Sequence, residues 1–395
     1  MSAATSSSFV PRSGPTWRDP FSMYAELRDH DPVHHVVDGD YWVLSRFGDV
    51  MDAARDTATF SSAGGLTFHY DDMGAAGIDE ARPMVMLDPP EHTEFRRLVA
   101  RGFTPRRVAT IEPAVRAFVV ERLDRLAEGA CDVVTELFKP LPSMVVAHYL
   151  GVPEEDRSRF DAWTEAIVSA NARGDVFDTP EAVAELFTYF SELVERRRVE
   201  PGDDTISDLL AAGVDGTPLL RILGFAFTMV AGGNDTTTGL LAGSAELLTE
   251  HRDQRSTLLE HPALVADAVD ELLRLTSPVQ GLARTTTAEV HLHGTTVPAG
   301  RKVMLLYGSA NRDPREFGTD AEQLRVERRP RRIMSLGYGA HHCLGAAAAR
   351  LQGRVALEEL LARFPDFAVD AAAGEFAPGN FVRRYQSLPF EPVAT

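Results

Sequence analysis

The dipeptide Thr217-Pro218 is followed by a stretch, 219–230, that is apolar on nearly every side and can continue as one helix to about residue 250. Thr followed by Pro is a helix start signal: the hydroxyl can cap the first turn, and the fixed φ of Pro suits the first helical position. A helix with no polar face cannot lie on a surface, so this segment has to cross the core of whatever the chain forms. It is too short to cross a bilayer. No run of about 18 apolar residues occurs elsewhere, so no membrane span is expected. With 395 residues, 44% of them hydrophobic, the chain has enough material to bury such a helix.

Midway, the same helix carries Ala231-Gly232-Gly233-Asn234-Asp235-Thr236-Thr237. Two adjacent glycines cost on the order of 2 kcal/mol against alanine in a helix interior. Thr hydroxyls that bond back to carbonyls bend helices locally. The helix is therefore expected to loosen at this point and make room beside Asp235, an acid that can relay protons, and Thr236, a hydroxyl that can hold a small polar guest. Taken alone, the same residues also suit a glycine packing site beside a solvated Asp.

The remaining pattern is mostly helical. Helical spacing marks 20–30, 91–101, 111–127, 140–150, 155–171, 180–198 and 263–275, and a last helix should run from near Cys343 to Arg363. Asp38-Gly39 between apolar triplets predicts a hairpin, and short strands are expected at 291–293 and 303–306. Residues 61–82, broken by Gly64, Gly65, Gly74 and Gly77, read as a long irregular binding segment. Residues 1–15, rich in Ser and Ala, read as a disordered tail before a single domain spanning 16–395. The fold class is mainly α, a helical bundle with small β-hairpin sheets on one side.

Charge and cysteine usage remove other classes. The formal charge of −18 (40 basic against 58 acidic residues) repels phosphates, which argues against nucleic-acid partners. Two cysteines, Cys131 and Cys343, are too few for a disulfide scaffold and fit a reducing cytoplasm. Cys131 reads as a small core filler entering a short strand. A zinc site built from His291 and His293 or from His341 and His342 lacks a closed ligand spacing.

Three further motifs carry chemistry. In Leu336-Gly337-Tyr338-Gly339-Ala340-His341-His342-Cys343-Leu344-Gly345, three glycines let the backbone turn tightly and approach a flat ligand beside one Cys. A Cys at a helix N-terminus meets unpaired N–H groups and the positive dipole end, both of which favour a thiolate. A thiolate on haem iron promotes O–O cleavage. In Glu271-Leu272-Leu273-Arg274 the ionic residues share a helix face, a spacing equally common in surface pairs. In Asp88-Pro89-Pro90-Glu91-His92-Thr93-Glu94-Phe95-Arg96, His92 and Arg96 share a face that can grip an anionic group.

The order of these motifs along nearly the whole chain resembles the cytochrome P450 superfamily. Gly102-Phe103-Thr104-Pro105, residues 135–154 and Ser277-Pro278-Val279-Gln280-Gly281-Leu282-Ala283-Arg284 resemble its actinobacterial branch numbered family 130. The resemblance implies a single mostly helical domain binding haem b (iron protoporphyrin IX), with Cys343 as the metal ligand and Gly345 beside it. It implies His92, Arg96, Arg284 and His341 at the haem propionates. It makes Asp235 and Thr236 the oxygen-activating acid–alcohol pair, and Glu271 and Arg274 a buried structural pair with Arg328 as a third member. Substrate would meet 61–82, 225–233, 279–282 and the turn at Asn380-Phe381. Two positions depart from the family pattern: Leu336 stands where Phe is usual, and Gln352 where Glu is usual.

The implied reaction is monooxygenation of a mainly hydrophobic small molecule by O2, a hydroxylation or an O- or N-dealkylation. The chain has no nicotinamide or flavin fingerprint, so electrons would come from a separate ferredoxin and ferredoxin reductase. An acidic ferredoxin would dock on Arg331, Arg332, His342, Arg350 and Arg354 around the Cys loop. Peroxygenase chemistry and haem-based binding or sensing without turnover are the alternatives; the first has no need of the Asp235-Thr236 relay. The Phe68, Tyr70, Met84 and Met86 region and the apolar helix suggest a medium-sized apolar guest.

Overall fold

The computed structural model describes residues 8–70, 82–129, 131–173, 180–212 and 217–392, the side chains of 168–173 excepted. In chain order its helices are α1 (Phe21–His30), α2 (Phe47–Arg55), α3 (Glu91–Val99), α4 (Pro105–Ala109), α5 (Glu112–Ala127), α6 (Pro140–Tyr149), α7 (Arg157–Arg173) and α8 (Pro180–Val199). They continue with α9 (Thr205–Ala211), α10 (Leu219–Glu250), α11 (Arg252–Glu260), α12 (Val265–Thr276), α13 (Tyr307–Ala310), α14 (Pro314–Phe317) and α15 (Ala346–Arg363). Every helix expected from periodicity is present to within a few residues. Of the shorter ones, α2 had a legible signal: Phe47, Val50, Met51 and Ala54 recur at helical spacing, and all are buried.

The central helix α10 is 32 residues long, about 48 Å at 1.5 Å per residue. It crosses the core as its composition demands and packs against α6, α7, α8, α12 and α15. Close approach is bought by small residues on one side. A Cβ on Gly239 would lie 2.8 Å from the Arg383 carbonyl oxygen, and one on Gly243 would lie 2.7 Å from Thr276. Two expectations about α10 are corrected. Thr217 does not cap it, because its hydroxyl donates to the Leu209 carbonyl instead. The helix also runs unbroken through Gly232-Gly233 with no bulge. Back-bonding by Thr236 to the Gly232 carbonyl (3.0 Å) and Asn234 to the Val230 carbonyl (2.7 Å) supplements the ladder without displacing it.

The strands β1 (Val33–Val36), β2 (Tyr41–Leu44), β3 (Phe60–Ser61), β4 (Leu282–Thr286), β5 (Val290–Leu292), β6 (Thr295–Val297) and β7 (Lys302–Leu305) lie to one side. Five of them form a sheet in the order β1-β2-β7-β4-β3. Only β2 and β7 are parallel, with Tyr41 opposite Lys302 and Leu44 opposite Leu305, so the helical body forms the connection between them. The β1–β2 hairpin forms as expected, but through a 3-10 turn at Val37–Gly39 and a left-handed Asp40 (φ 47°), not a two-residue Asp-Gly turn. Short antiparallel pairs near the C-terminus complete the β structure.

The ordered body begins earlier than the boundary at residue 16. Phe9 is buried, and Gly14 N donates to the Ala377 carbonyl at 3.2 Å. The fully buried Trp17 donates Nε1 to the Gly379 carbonyl at 2.9 Å. An apolar ring and a backbone pairing fasten this segment despite its Ser-rich start. Residues 1–7, the first half of the expected tail, lie outside the described residues.

Candidate active site

The Cys loop is shaped by its backbone. Gly337 (φ 64°) and Gly339 (φ 68°) occupy the left-handed region that disfavours side chains, and a Cβ on Gly339 would also lie 3.0 Å from the Ala54 carbonyl oxygen. Cys343 N donates to the Leu336 carbonyl at 2.7 Å, which folds the loop back on itself. Gly345 (φ −82°) is the N-cap of α15, so Cys343 sits immediately before the helix start, as expected. A Gly345 Cβ would make only ordinary contact with Sγ, at 3.9 Å, so what this position supplies is its backbone N–H.

Cys343 is exposed at its surface, yet burial is the dominant influence on its thiol. Burial pushes the thiol above its usual range, offset in part by the Gly345 N–H and by Arg96 and Arg350. The N–H at the helix start favours the thiolate, as the sequence reading expected, but burial outweighs it; a bound metal cation would add to the favourable side.

Around the loop the structure gathers four cationic or titratable groups from three elements. His92 and Arg96 come from α3, Arg284 from β4, and His341 from the turn Gly339–His341. The His92 and His341 rings lie 4.2 Å apart, and His341 Nε2 meets the Ser62 hydroxyl at 3.1 Å. His341 is pushed down to about 3 by burial and then by Arg284, His92 and Arg96. Burial and Arg96 likewise hold His92 below its usual range. Both ring nitrogens of His92 are buried without a hydrogen-bond partner among the described residues. Asp88 lies near His92, but its oxygens accept from Ser61 and Ser62. Among the described residues neither Arg96 nor Arg284 pairs with an acid; Arg96 Nη2 donates to the His342 carbonyl at 2.5 Å. Orphaned donors and uncompensated positive charge call for an anionic group, which is the chemistry of two carboxylates on a flat ligand beside the thiol.

The middle of α10 supplies open space. Gly232 is exposed although its helix crosses the core, and nothing lies within 4 Å of a Cβ placed on it. The room expected from a broken helix comes instead from an absent side chain. Thr236, one turn on, keeps a partly exposed side chain. Asp235 points elsewhere: it is buried and 2.5 Å from Arg384 Nε. Burial raises its carboxyl to about 6, a shift that Arg384 and Lys139 oppose.

A sequence profile of the family described as Cytochrome P450 matches residues 203–369. Cytochrome P450 130 of Mycobacterium tuberculosis is 59% identical over 401 residues, with 99% of each chain covered. Vitamin D(3) 25-hydroxylase of Pseudonocardia autotrophica is 36% identical, with 95% of this chain and 94% of that one covered. The structure of the polyketide-biosynthesis cytochrome P450 PksS of Bacillus subtilis superposes with a TM-score of 0.86 at 32% identity, covering 95% of this chain and 97% of that one. The chain belongs to the cytochrome P450 family. Its cofactor is haem b and its reaction class is monooxygenation. The expected likeness to family 130 is borne out.

In this cytochrome P450 the pair Glu271–Arg274 is fully buried, not a surface pair, and Arg328 Nε donates to Glu271 Oε1 at 3.1 Å as a third member. Leu336, in place of the usual Phe, holds Cys343 through its carbonyl, which any residue would offer. Gln352 is buried and donates to the Ala348 carbonyl at 3.2 Å; a Glu there would bury a charge.

Several expected substrate contacts in the cytochrome P450 are core packing instead. Phe68 is buried between Tyr41 and Phe381, with ring centroids at 4.7 and 5.5 Å. Tyr70 is anchored on the sheet rim through the Asp40 carbonyl and Lys302 N. Phe225 packs into Phe95 and Phe103. Residues 71–81 of the irregular segment lie outside the described residues. Cys131 is exposed and no core filler: its carbonyl accepts from Phe390 N, so the backbone is used while the side chain turns outward. The expected basic patch is largely neutralised, because Arg350 pairs with Asp270, Arg354 with Glu112 and Glu358, and Arg332 with Glu316. The sequence reading missed Arg384, the partner of Asp235. Its signal was the doublet Arg383-Arg384 between apolar residues in an acidic chain.

Proposed function

We propose that this cytochrome P450 inserts one atom of O2 into a mainly hydrophobic small molecule, and that Cys343 is the residue that would hold its haem iron. His92, Arg96, Arg284 and His341 hold the propionates, and Asp235 and Thr236 serve oxygen activation. The observation that carries this reading is the cluster of orphaned and uncompensated cationic groups beside an exposed Cys. Haem b, when bound, supplies the dioxygen chemistry. The protein's own groups orient the ligand, exclude water and move protons. Thr236 Oγ1 donates to the Gly232 carbonyl, so its lone pairs remain free to accept, and its side chain is partly exposed. Asp235, whose carboxyl lies near 6, exchanges protons readily at neutral pH. The presence of this pair favours the O2 route over direct use of peroxide.

Apolar substrate is supported by the partly buried Phe227, Met229 and Ala231 of α10 beside the opening, and by Val279 and Leu282 near β4. The relatives named for vitamin D(3) and for polyketide biosynthesis point the same way. Electrons come from a ferredoxin and its reductase. With Arg350 and Arg354 paired, the docking charge lies on the exposed Arg97, Arg101 and Arg106 of the α3–α4 region and on Arg331, none of which makes an ion pair among the described residues. Two free cysteines suit a reducing cytoplasm.

The test is an absorbance titration of the ferric protein with a panel of apolar small molecules, then turnover with ferredoxin, reductase and NADH. A Soret shift toward high spin with one compound class, and NADH use that depends on that class, are expected. NADH use that no compound stimulates would favour a binding or sensing role.

A further inference from the structure

The segment 378–384 meets α10 through two ion pairs. Arg384 Nε lies 2.5 Å from Asp235 Oδ1, and Arg383 Nη2 lies 3.5 Å from Glu246 Oε2. The two acids are 11 residues apart, three turns along one face of the helix. The same segment forms the turn at Asn380-Phe381 and is wired into the proposed substrate region. Gln280 N donates to the Phe381 carbonyl at 2.8 Å, Arg383 N to the Pro278 carbonyl at 2.8 Å, and the Phe381 ring lies 5.5 Å from Phe68. Between the turn and α10 is a void of about 20 Å³ lined by Asp235, residues 378–382 and Arg384. That volume holds about one water. The buried Asn380 Oδ1, which has no partner among the described residues, belongs to the same lining and would accept from that water.

We propose that Arg384 is a positioning residue that couples the seating of a guest against the 379–382 turn to the protonation of Asp235. This rests on the proton-relay role assigned to Asp235 above. Three charged groups face Asp235 from three directions: Arg384 from the C-terminal segment, and the mutually paired Lys139, ahead of α6, and Glu165 of α7. The last two act in opposite senses and Arg384 is the largest charged influence, so Arg384 is the group whose displacement changes the acid most. With the turn relaxed, Arg384 holds Asp235 ionised and withholds its proton. When a guest presses the turn, Arg384, two residues beyond Val382, is drawn from the acid. The buried carboxylate then takes a proton from solvent, relayed through the water in the void, which gives one proton to Asp235 as it receives another and stays neutral, and Arg384 is left hydrogen-bonded to that water. One proton enters from solvent for each proton Asp235 later releases, so the acid is loaded only when a guest is present.

The experiment is an infrared titration of the ferric holoprotein, following the protonated-carboxyl stretch that Asp235→Asn removes. It is run without ligand and with a biphenyl-substituted imidazole filling the space over Cys343. In the wild-type protein the imidazole should raise the titration midpoint. Arg384→Gln should raise it by at least one pH unit without ligand and abolish the further ligand shift, while Arg384→Lys should restore most of both. A midpoint indifferent to Arg384→Gln, or a ligand shift that is absent in the wild type or equal in the Gln variant, overturns the coupling while leaving the relay role intact. No titrating band assignable to Asp235 would instead remove the relay reading itself.

Discussion

Arg274 grips Glu271 through two parallel hydrogen bonds, Nε to Oε2 at 2.7 Å and Nη2 to Oε1 at 2.8 Å, with neither side chain exposed. The guanidinium also donates through Nη1 to the Asn311 and Ala321 carbonyls at 2.7 and 2.6 Å, and Arg328 completes the acid's shell. The pair therefore ties α12 to the segment that leads into the Cys loop. Removing one member strands a buried charge and costs about 3–5 kcal/mol. Arg274→Ala should show this loss in urea denaturation and yield protein that does not retain haem. Arg274→Lys should not rescue it, because an ammonium cannot meet a carboxylate in parallel and two carbonyls at once.

His92 separates holding the cofactor from holding the fold. Its ring nitrogens bond nothing among the described residues, so exchange for Phe removes no hydrogen bond within the protein. The haem-free His92→Phe variant should be as stable as the parent or more so. Haem transfer to an acceptor protein should quicken by roughly tenfold, the value of one charge-assisted hydrogen bond. A destabilised apoprotein with unchanged haem transfer would make His92 a packing residue.

The two cysteines should behave oppositely. Cys343→Ser should abolish the thiolate signature of the ferrous carbonyl spectrum. Cys131→Ala should leave that spectrum and the stability within about 0.5 kcal/mol of the parent, since the side chain is exposed and only the backbone is engaged.

How much of this was legible in the sequence follows from the range of each interaction. The long helices, the hairpin and the Cys loop are written in local spacing, and they appear where spacing put them. Cys343, His92, Arg96, Arg284 and His341 were named individually, but their convergence is a tertiary fact that only the resemblance to a family could anticipate. Gly232 misled on mechanism: propensity argued for a loosened helix, yet α10 packs against α6, α7, α8, α12 and α15, and these tertiary contacts outweigh two unfavourable residues. Phe68 and Phe225 misled because an aromatic near a cavity and an aromatic in the core look alike in sequence. Arg384 was invisible as the partner of Asp235 because 149 residues separate them and neither lies in a shared motif.

Asp235 gives a pH dependence whose sign is fixed. Its carboxyl is raised from 3.8 to about 6, chiefly by burial. A raised acid contributes stability that is fully present below the unfolded value and is lost as pH rises through the folded value. From pH 4 to 6 the wild-type protein should therefore lose about 2 kcal/mol relative to Asp235→Asn, in which position 235 does not titrate. Above pH 6.5 the difference should be flat. Taking the difference between the two proteins cancels every other titrating group distant from the site. Urea denaturation of both holoproteins at several pH values from 4.5 to 7 reads it out. The opposite slope, with the wild type gaining on the variant as pH rises, would mean that the attraction of Arg384 outweighs desolvation. Asp235 would then be a permanently ionised structural partner, unable to carry a proton at neutral pH, and Thr236→Ala would be left as the only substitution in the pair expected to uncouple NADH use from product.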